Sequence, residues 1–142
     1  MAKGAKQAPF RYIRNLEENM NKDMELLKWL EAVSDNIKQI ESAAMKALEQ
    51  GDAEEYKRGM NAKAVFLAGL ENAAAPYLEG VSEKSSALVR SNLNRFSAGA
   101  ATALELNSVF YMSALLYPDE HRPGDPNNFE LFVNEVAAGI NK

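Results

Sequence analysis

The chain has one histidine and no cysteine, and those two counts decide most of the chemistry open to it. Without thiols there are no disulfides, thiolate zinc sites, iron–sulfur clusters or cysteine nucleophiles. His121 stands beside Asp119 and Glu120, with Asp125 four residues on. Such a group suits a metal ion or proton transfer in principle. It sits, however, in the loop PDEHRPGDPN at 118–127, rich in proline and with no second ligand cluster; the expectation is a solvated loop histidine. Di-metal carboxylate bundles need Glu-x-x-His on two helices, which one histidine cannot supply. Serine nucleophiles lack a base and a G-x-S-x-G elbow, and there is no glycine-rich phosphate loop. No metal, cofactor or catalytic group is therefore expected.

The remaining candidates are polar residues in otherwise apolar patterns. Lys63 interrupts the series Tyr56, Met60, Lys63, Leu67, Leu70, Ala74, Tyr77, and Asn107 interrupts Val89, Leu93, Phe96, Ala100, Ala103, Asn107, Phe110, Ala114, Tyr117. The lysine either lays its stem along the seam with its ammonium in water or marks a polar spot facing something. The asparagine is of the kind that fixes helix register. If Tyr56, Lys63 and Asn107 converged, with His121 near, they would line a small-ligand pocket; that is the alternative reading of function. Glu17, Glu18, Asp23, Glu25, Glu31, Asp35 and Glu41 alternate with Lys22, Lys28 and Lys38, the pattern of a solvated mixed-charge face.

The elements that must position these residues are all helical. Steps of three and four link Ile13, Leu16, Met20, Met24, Leu27, Leu30, Val33, Ile37, Ile40, Ala44 and Leu48 on one helix stripe. Gly51 stops this helix, and Asp52 with Glu55 caps the next. Pro76 and Gly80 close the second helix, Ser82 caps the third, and Pro118 ends it. Asp125 and Pro126 read as cap and first position of a last helix, with Phe129, Phe132, Val133, Val136 and Ile140 on its apolar face. No alternating strand pattern is present. The spacing thus predicts an all-α antiparallel bundle of three long helices (about 11–50, 52–79 and 82–117) plus a short helix (about 126–140), preceded by a flexible basic tail at 1–9.

Unequal helices leave overhangs. At 1.5 Å per residue the long helices span roughly 60, 42 and 54 Å, so the shorter middle one cannot cover both neighbours. One overhang, VFYMSALLY at 109–117, is apolar nearly all round; the face of the last helix is its expected cover, with a groove that receives a partner as the alternative. The other carries Phe10, Ile13, Leu16, Met20 and Met24. It has less to pack on, and three outcomes stay open: folding over the bundle, pairing with a second copy, or receiving a partner helix.

The segment ALEQGDAEEYKRGMNAKAVFLAGLE, 47–71, resembles the central hairpin of the flagellar and type III secretion export chaperones. The matching residues are Leu48, Gly51 and Asp52 at the turn, then Lys63, Leu67 and Leu70. The resemblance implies a cytoplasmic antiparallel helical bundle that binds amphipathic end helices of export substrates. A formal charge of −4 argues against nucleic acid, which needs a basic face. No apolar stretch reaches the roughly 18 residues of a membrane span, and no signal peptide is visible, so a cytoplasmic location is expected. Together these residues point to a non-enzymatic bundle acting through protein–protein contacts, as chaperone, adaptor or assembly subunit, with Phe10, Ile13, Leu16, Met20 and Met24 as its contact residues and self-association as a homodimer among the outcomes.

Overall fold

The computed structural model describes the backbone from Ala2 to Ile140, and side chains at Glu18 and from Met20 to Ile140. The described residues are all-α, without strands: α1 (Ala2–Glu49), α2 (Ala53–Ala68), α3 (Leu70–Ala73), α4 (Ala75–Leu78), α5 (Glu83–Glu105), α6 (Val109–Ala114) and α7 (Asn128–Ile140). Helix α1 opens at Ala2, ahead of the start near residue 11 that the spacing predicts.

The turns form where short polar side chains and positive-φ residues place them. Gly51 has φ +82, and Asp52 Oδ1 accepts the Glu55 backbone N–H at 3.0 Å, capping α2. The chain reverses there. Ala44 meets Gly59, Glu41 pairs with Lys63, and the Lys22 stem lies against Gly80, so α1 and the α2–α4 run lie antiparallel. The second reversal comes at Gly80, φ +73, followed by the Ser82 cap of α5.

Three expectations about the helices need correction. The single helix over 52–79 is segmented at Gly69 and Ala74, although both keep right-handed helical angles and the run holds its direction. Gly69 adds no side chain to hold the turn, and Pro76 has no N–H for the carbonyl four residues back. The single helix over 82–117 breaks more sharply. Asn107 adopts φ 51, a left-handed conformation that asparagine tolerates better than most residues, and Ser108 caps Tyr111 N–H at 3.2 Å. Asn107 is thus an exposed terminator, not a seam residue. The last helix is capped two residues later than expected. Asn127 Oδ1 accepts from Glu130 N at 2.8 Å and Glu130 Oε1 accepts from Asn127 N at 3.0 Å, a reciprocal capping box.

The larger of two apolar clusters joins most of the elements, and a smaller one of Ala44, Met60, Ala64, Ala103 and Met112 holds α6. Leu26, Leu30, Val33 and Ile37 of α1 meet Leu67, Leu70 and Ala74, Val89, Leu93, Phe96 and Ala100 of α5, and Phe129, Phe132, Val133 and Val136 of α7. Each fully buried leucine, isoleucine or phenylalanine contributes about 1.5–3 kcal/mol. Phe129 and Phe132 pack on Phe96 at centroid distances of 5.5 and 5.8 Å. Helix α7 therefore lies on α1 and α5 rather than covering α6, and the expected cover of VFYMSALLY is only partial. Met112 and Leu116 are buried, whereas Phe110 and Tyr111 face out.

Candidate functional site

Three places hold the residues singled out above: the front of α1, the polar centre around Lys63, and the face of α6. On α1 the apolar stripe leaves its cover as it runs toward the N-terminus. Leu27 is buried, Met24 is 41% exposed and Met20 59%. The side chains of Phe10, Ile13 and Leu16, which continue the stripe in sequence, lie outside the described residues. The change in cover comes at Asp23, which is buried instead of solvated as expected. Its Oδ1 accepts from Ser82 N at 3.0 Å, and its Oδ2 accepts from the hydroxyls of Ser82 and Ser85 at 2.9 and 3.2 Å. A carboxylate at the start of α5 is further favoured by the positive end of the helix dipole. Asp23 therefore fastens α1 to α5 where the bundle ends.

Lys63 is the second place. Its side chain is fully buried. Its Nζ lies 2.9 Å from Glu41 Oε2 and donates to Leu115 O at 2.9 Å and Ser113 O at 3.3 Å. These contacts use all three ammonium hydrogens. The ammonium also lies 5.1 Å from the Tyr117 ring centroid, and the Tyr117 hydroxyl donates to Glu41 Oε1 at 2.8 Å. Burial holds the Lys63 ammonium below the usual lysine range, opposed by the charge and hydrogen bond of Glu41. Burial, together with the hydrogen bond to Glu41, pushes the Tyr117 phenol above its ordinary range. A lysine enclosed and saturated in this way has no hydrogen or lone pair to offer a substrate. It is a strut tying α1, α2 and the end of α6 together.

The charge pattern of α1 puts Glu41 on a solvated face, with Ile40 in the seam beside it. In the structure Glu41 occupies the inward position between Ile37 and Ala44. The signal that could have found it was in the sequence: two opposite charges interrupting facing seams at nearly equal distances either side of the Gly51–Asp52 turn.

The residues of the alternative pocket do not meet. Tyr56 lines a small cleft of about 190 Å³ with Glu41, Met60 and Tyr117. Asn107 lines a separate surface cleft of about 540 Å³ with Lys57, Arg58 and Asn61. Lys63 lines neither.

The third place is the apolar overhang at 109–117, and the structure leaves part of it uncovered. With α5 stopped at Asn107, α6 folds back and leaves an apolar cleft of about 450 Å³ lined by Gly99, Thr102, Ala103, Leu106, Tyr111 and Leu115. Phe110, 74% exposed, stands beside Tyr111, itself 55% exposed, with ring centroids 5.7 Å apart. A helix running straight through Asn107, as the spacing predicts, would put these aromatic residues under α7.

Elsewhere the polar residues are engaged in structure. His121 Nε2 lies 2.8 Å from Asp125 O, and its ring packs edge-on to Tyr117 at 4.9 Å. Trp29 stacks on Tyr77 at 4.7 Å. Lys38 and Glu130 pair at 2.7 Å. Burial pushes Glu130 upward, but the hydrogen bonds from Lys38 and the Asn127 backbone outweigh it, so the net direction is below the usual carboxylate range. Among the described residues no cluster of His, Asp and Glu has the arrangement to hold a metal ion, and no helix is long and apolar enough to cross a membrane. Comparison with known proteins yields no match among family models, curated proteins or solved structures.

Proposed function

We propose that the chain is a non-enzymatic helical-bundle protein that acts by packing the front of α1 against another helix. The observation that carries this reading is the stripe of α1. It keeps the apolar spacing of the core through Met24 and Met20 while cover from the rest of the chain falls away, and the same spacing continues in sequence through Leu16, Ile13 and Phe10. An apolar helix face is the surface that another amphipathic helix recognises, with anchors three and four residues apart. Methionine side chains suit such a face because they repack around different partners. The saturated state of Lys63 and the separation of Tyr56 and Asn107 favour this reading over a small-ligand pocket.

Export-chaperone activity on amphipathic segments is the more specific form of the same proposal. Its support is the 47–71 hairpin. Within that hairpin Gly51 makes the turn, Asp52 the cap, and Lys63, Leu67 and Leu70 are buried. The resemblance therefore bears on the scaffold, and the contact surface is assigned to α1 on its own evidence.

The test is a pull-down from native cell extract with the full chain and with Met20→Lys/Met24→Lys. We expect a protein retained by the first and lost by the second, with equal melting temperatures. With the retained protein bound, amide exchange at 10–24 should slow. Retention that ignores both substitutions and leaves exchange at 10–24 unchanged would remove α1 as the contact.

A further inference from the structure

Charge along α1 is segregated in a way that its apolar stripe does not require. Lys3, Lys6, Arg11 and Arg14 are the only charged side chains ahead of Glu17, and the backbone carries all four on α1, which opens at Ala2. The chain as a whole is at −4, so these four positive charges leave −8 on everything behind them. The segregation also runs against helix electrostatics. The N-terminal end of a helix favours anions and disfavours cations, yet the first turn of α1 has no acidic residue. Cations in this place cost the isolated helix stability. A negative neighbour along its flank would offset the four charges and the dipole together.

We infer that the helix received by the front of α1 is an acidic one, an amphipathic segment with carboxylates on either side of its apolar line. The inference rests on the α1 reading above and names the chemistry of its partner. Phe10, Ile13, Leu16, Met20 and Met24 make the apolar line of the front, and Arg11 and Arg14 hold the positions directly after two of its residues. Where two helices pack through such a line, the charges flanking it decide which partner is accepted. The front from Ala2 to Lys22 is roughly 30 Å long, room for about six turns of a second helix. A second copy of the front would repeat the same positive charges and be repelled. An anionic bilayer has the opposite charge, but it is a plane, and drawing the front to it would also bring up the −8 on the rest of the chain. A helix engages the front alone.

Fluorescence anisotropy of the full chain with two labelled synthetic helices tests it. Both helices carry leucines three and four apart; one has glutamates beside them, the other lysines. The chain should bind the glutamate helix about tenfold more tightly at low salt, a ratio that four exposed ion pairs supply together. Most of that preference should vanish at about 1 M salt, where the screening length falls to about 3 Å. Lys3→Glu/Lys6→Glu/Arg11→Glu/Arg14→Glu should reverse it in favour of the lysine helix. Met20→Gln/Met24→Gln changes no charge and should weaken both helices alike, with circular dichroism checking that each variant keeps its fold. Equal affinity for the two helices, still weakened by the methionine variant, overturns the acidic partner and keeps α1 as the contact. Binding of neither helix, or binding that the methionine variant leaves unchanged, removes α1 and this inference with it. Capture by phosphatidylserine vesicles without a preference for the glutamate helix also overturns it, and assigns the charge to a membrane surface.

Discussion

Lys63 and Glu41 show how much of a helical hairpin is decided by one pair of side chains. A lysine with no solvent exposure survives in a core only because a carboxylate and two carbonyls take its three hydrogens. Removing one charge from such a pair leaves the other buried and unpaired, which costs about 3–5 kcal/mol. Lys63→Met is therefore expected to lose that much in urea unfolding. Lys63→Met/Glu41→Gln, which keeps an acceptor for the Tyr117 hydroxyl, should recover most of it. The two shifted groups also oppose one another in alkali. The unfolded chain holds the Lys63 proton more tightly than the fold does, so this residue's contribution is least favourable below its lowered value. It improves as pH rises through the lowered value toward the ordinary lysine range. Tyr117 is the reverse. Its raised value favours the neutral phenol in the fold, a contribution intact below about pH 10 and lost above it. The double variant should thus lose the gain that Lys63 supplies between its lowered value and the ordinary lysine range. A single-variant loss below about 1 kcal/mol would mean that water reaches the pair. The lysine was legible in sequence as a break in a seam. Its partner was not, because counting threes and fours along one helix admits Ile40 as readily as Glu41, and only the facing helix decides between them.

At the scale of helices, two glycines in similar sequence settings are expected to behave oppositely. Gly59 lies inside α2 and Gly99 inside α5. Glycine in a helix interior costs up to about 1 kcal/mol relative to alanine, so local propensity favours alanine at both. Packing separates them. A Cβ at Gly59 would lie 2.6 Å from the Cβ of Ala44, which is itself buried in α1. The two helices would have to move apart along the seam that aligns Glu41 with Lys63. Overpacking of this kind costs about 1–3 kcal/mol, more than the propensity gain, so Gly59→Ala should unfold at lower urea than the parent. At Gly99 the neighbour is 3.8 Å away, and Gly99→Ala should stabilise by up to about 1 kcal/mol. Equal effects at the two sites would show that α1 and α2 do not approach this closely. The same contrast explains what could be read in advance. Caps at Asp52 and Ser82 depend on the next few residues and were visible in sequence. The break at Asn107 was not, since an amide in an apolar stripe fits a register-fixing position as well as a helix stop. With that one residue misread, the helix was carried on to Tyr117, and the exposed aromatic face of α6 was placed beneath α7.

Across the whole molecule the question is where the cooperative unit ends, and Asp23 marks the place. It is the N-terminal end of the well-covered part of α1, and it is the residue whose carboxylate holds Ser82 and Ser85 at the start of α5. The sequence showed that α1 is longer than its partners, but not that an acidic residue on its charged face would turn inward to fasten the end. Composition cannot distinguish the buried Asp23 from the exposed Glu25 two residues on. Hydrogen bonds to a charged group contribute about 1.5–3 kcal/mol. Asp23→Ala removes three of them together and leaves the Ser82 N–H and the Ser85 hydroxyl without their acceptor. The three share one carboxylate and do not add, so the expected loss is about 2–3 kcal/mol in urea unfolding. Its distribution should be uneven, because local opening follows the density of contacts. In the parent, amide exchange along α1 should change from fast to slow near Lys22–Asp23. In Asp23→Ala the change should move inward toward Leu26 and Leu27, and the first turn of α5 should lose protection with it. Amides in α7 and around Lys63, far from Asp23 and held by other contacts, should follow only the global loss. If exchange instead accelerated uniformly along α1 while α5 kept its first turn, Asp23 would be acting through the stability of the whole chain, and the end of the unit would have to be set by the leucines of the core rather than by this carboxylate.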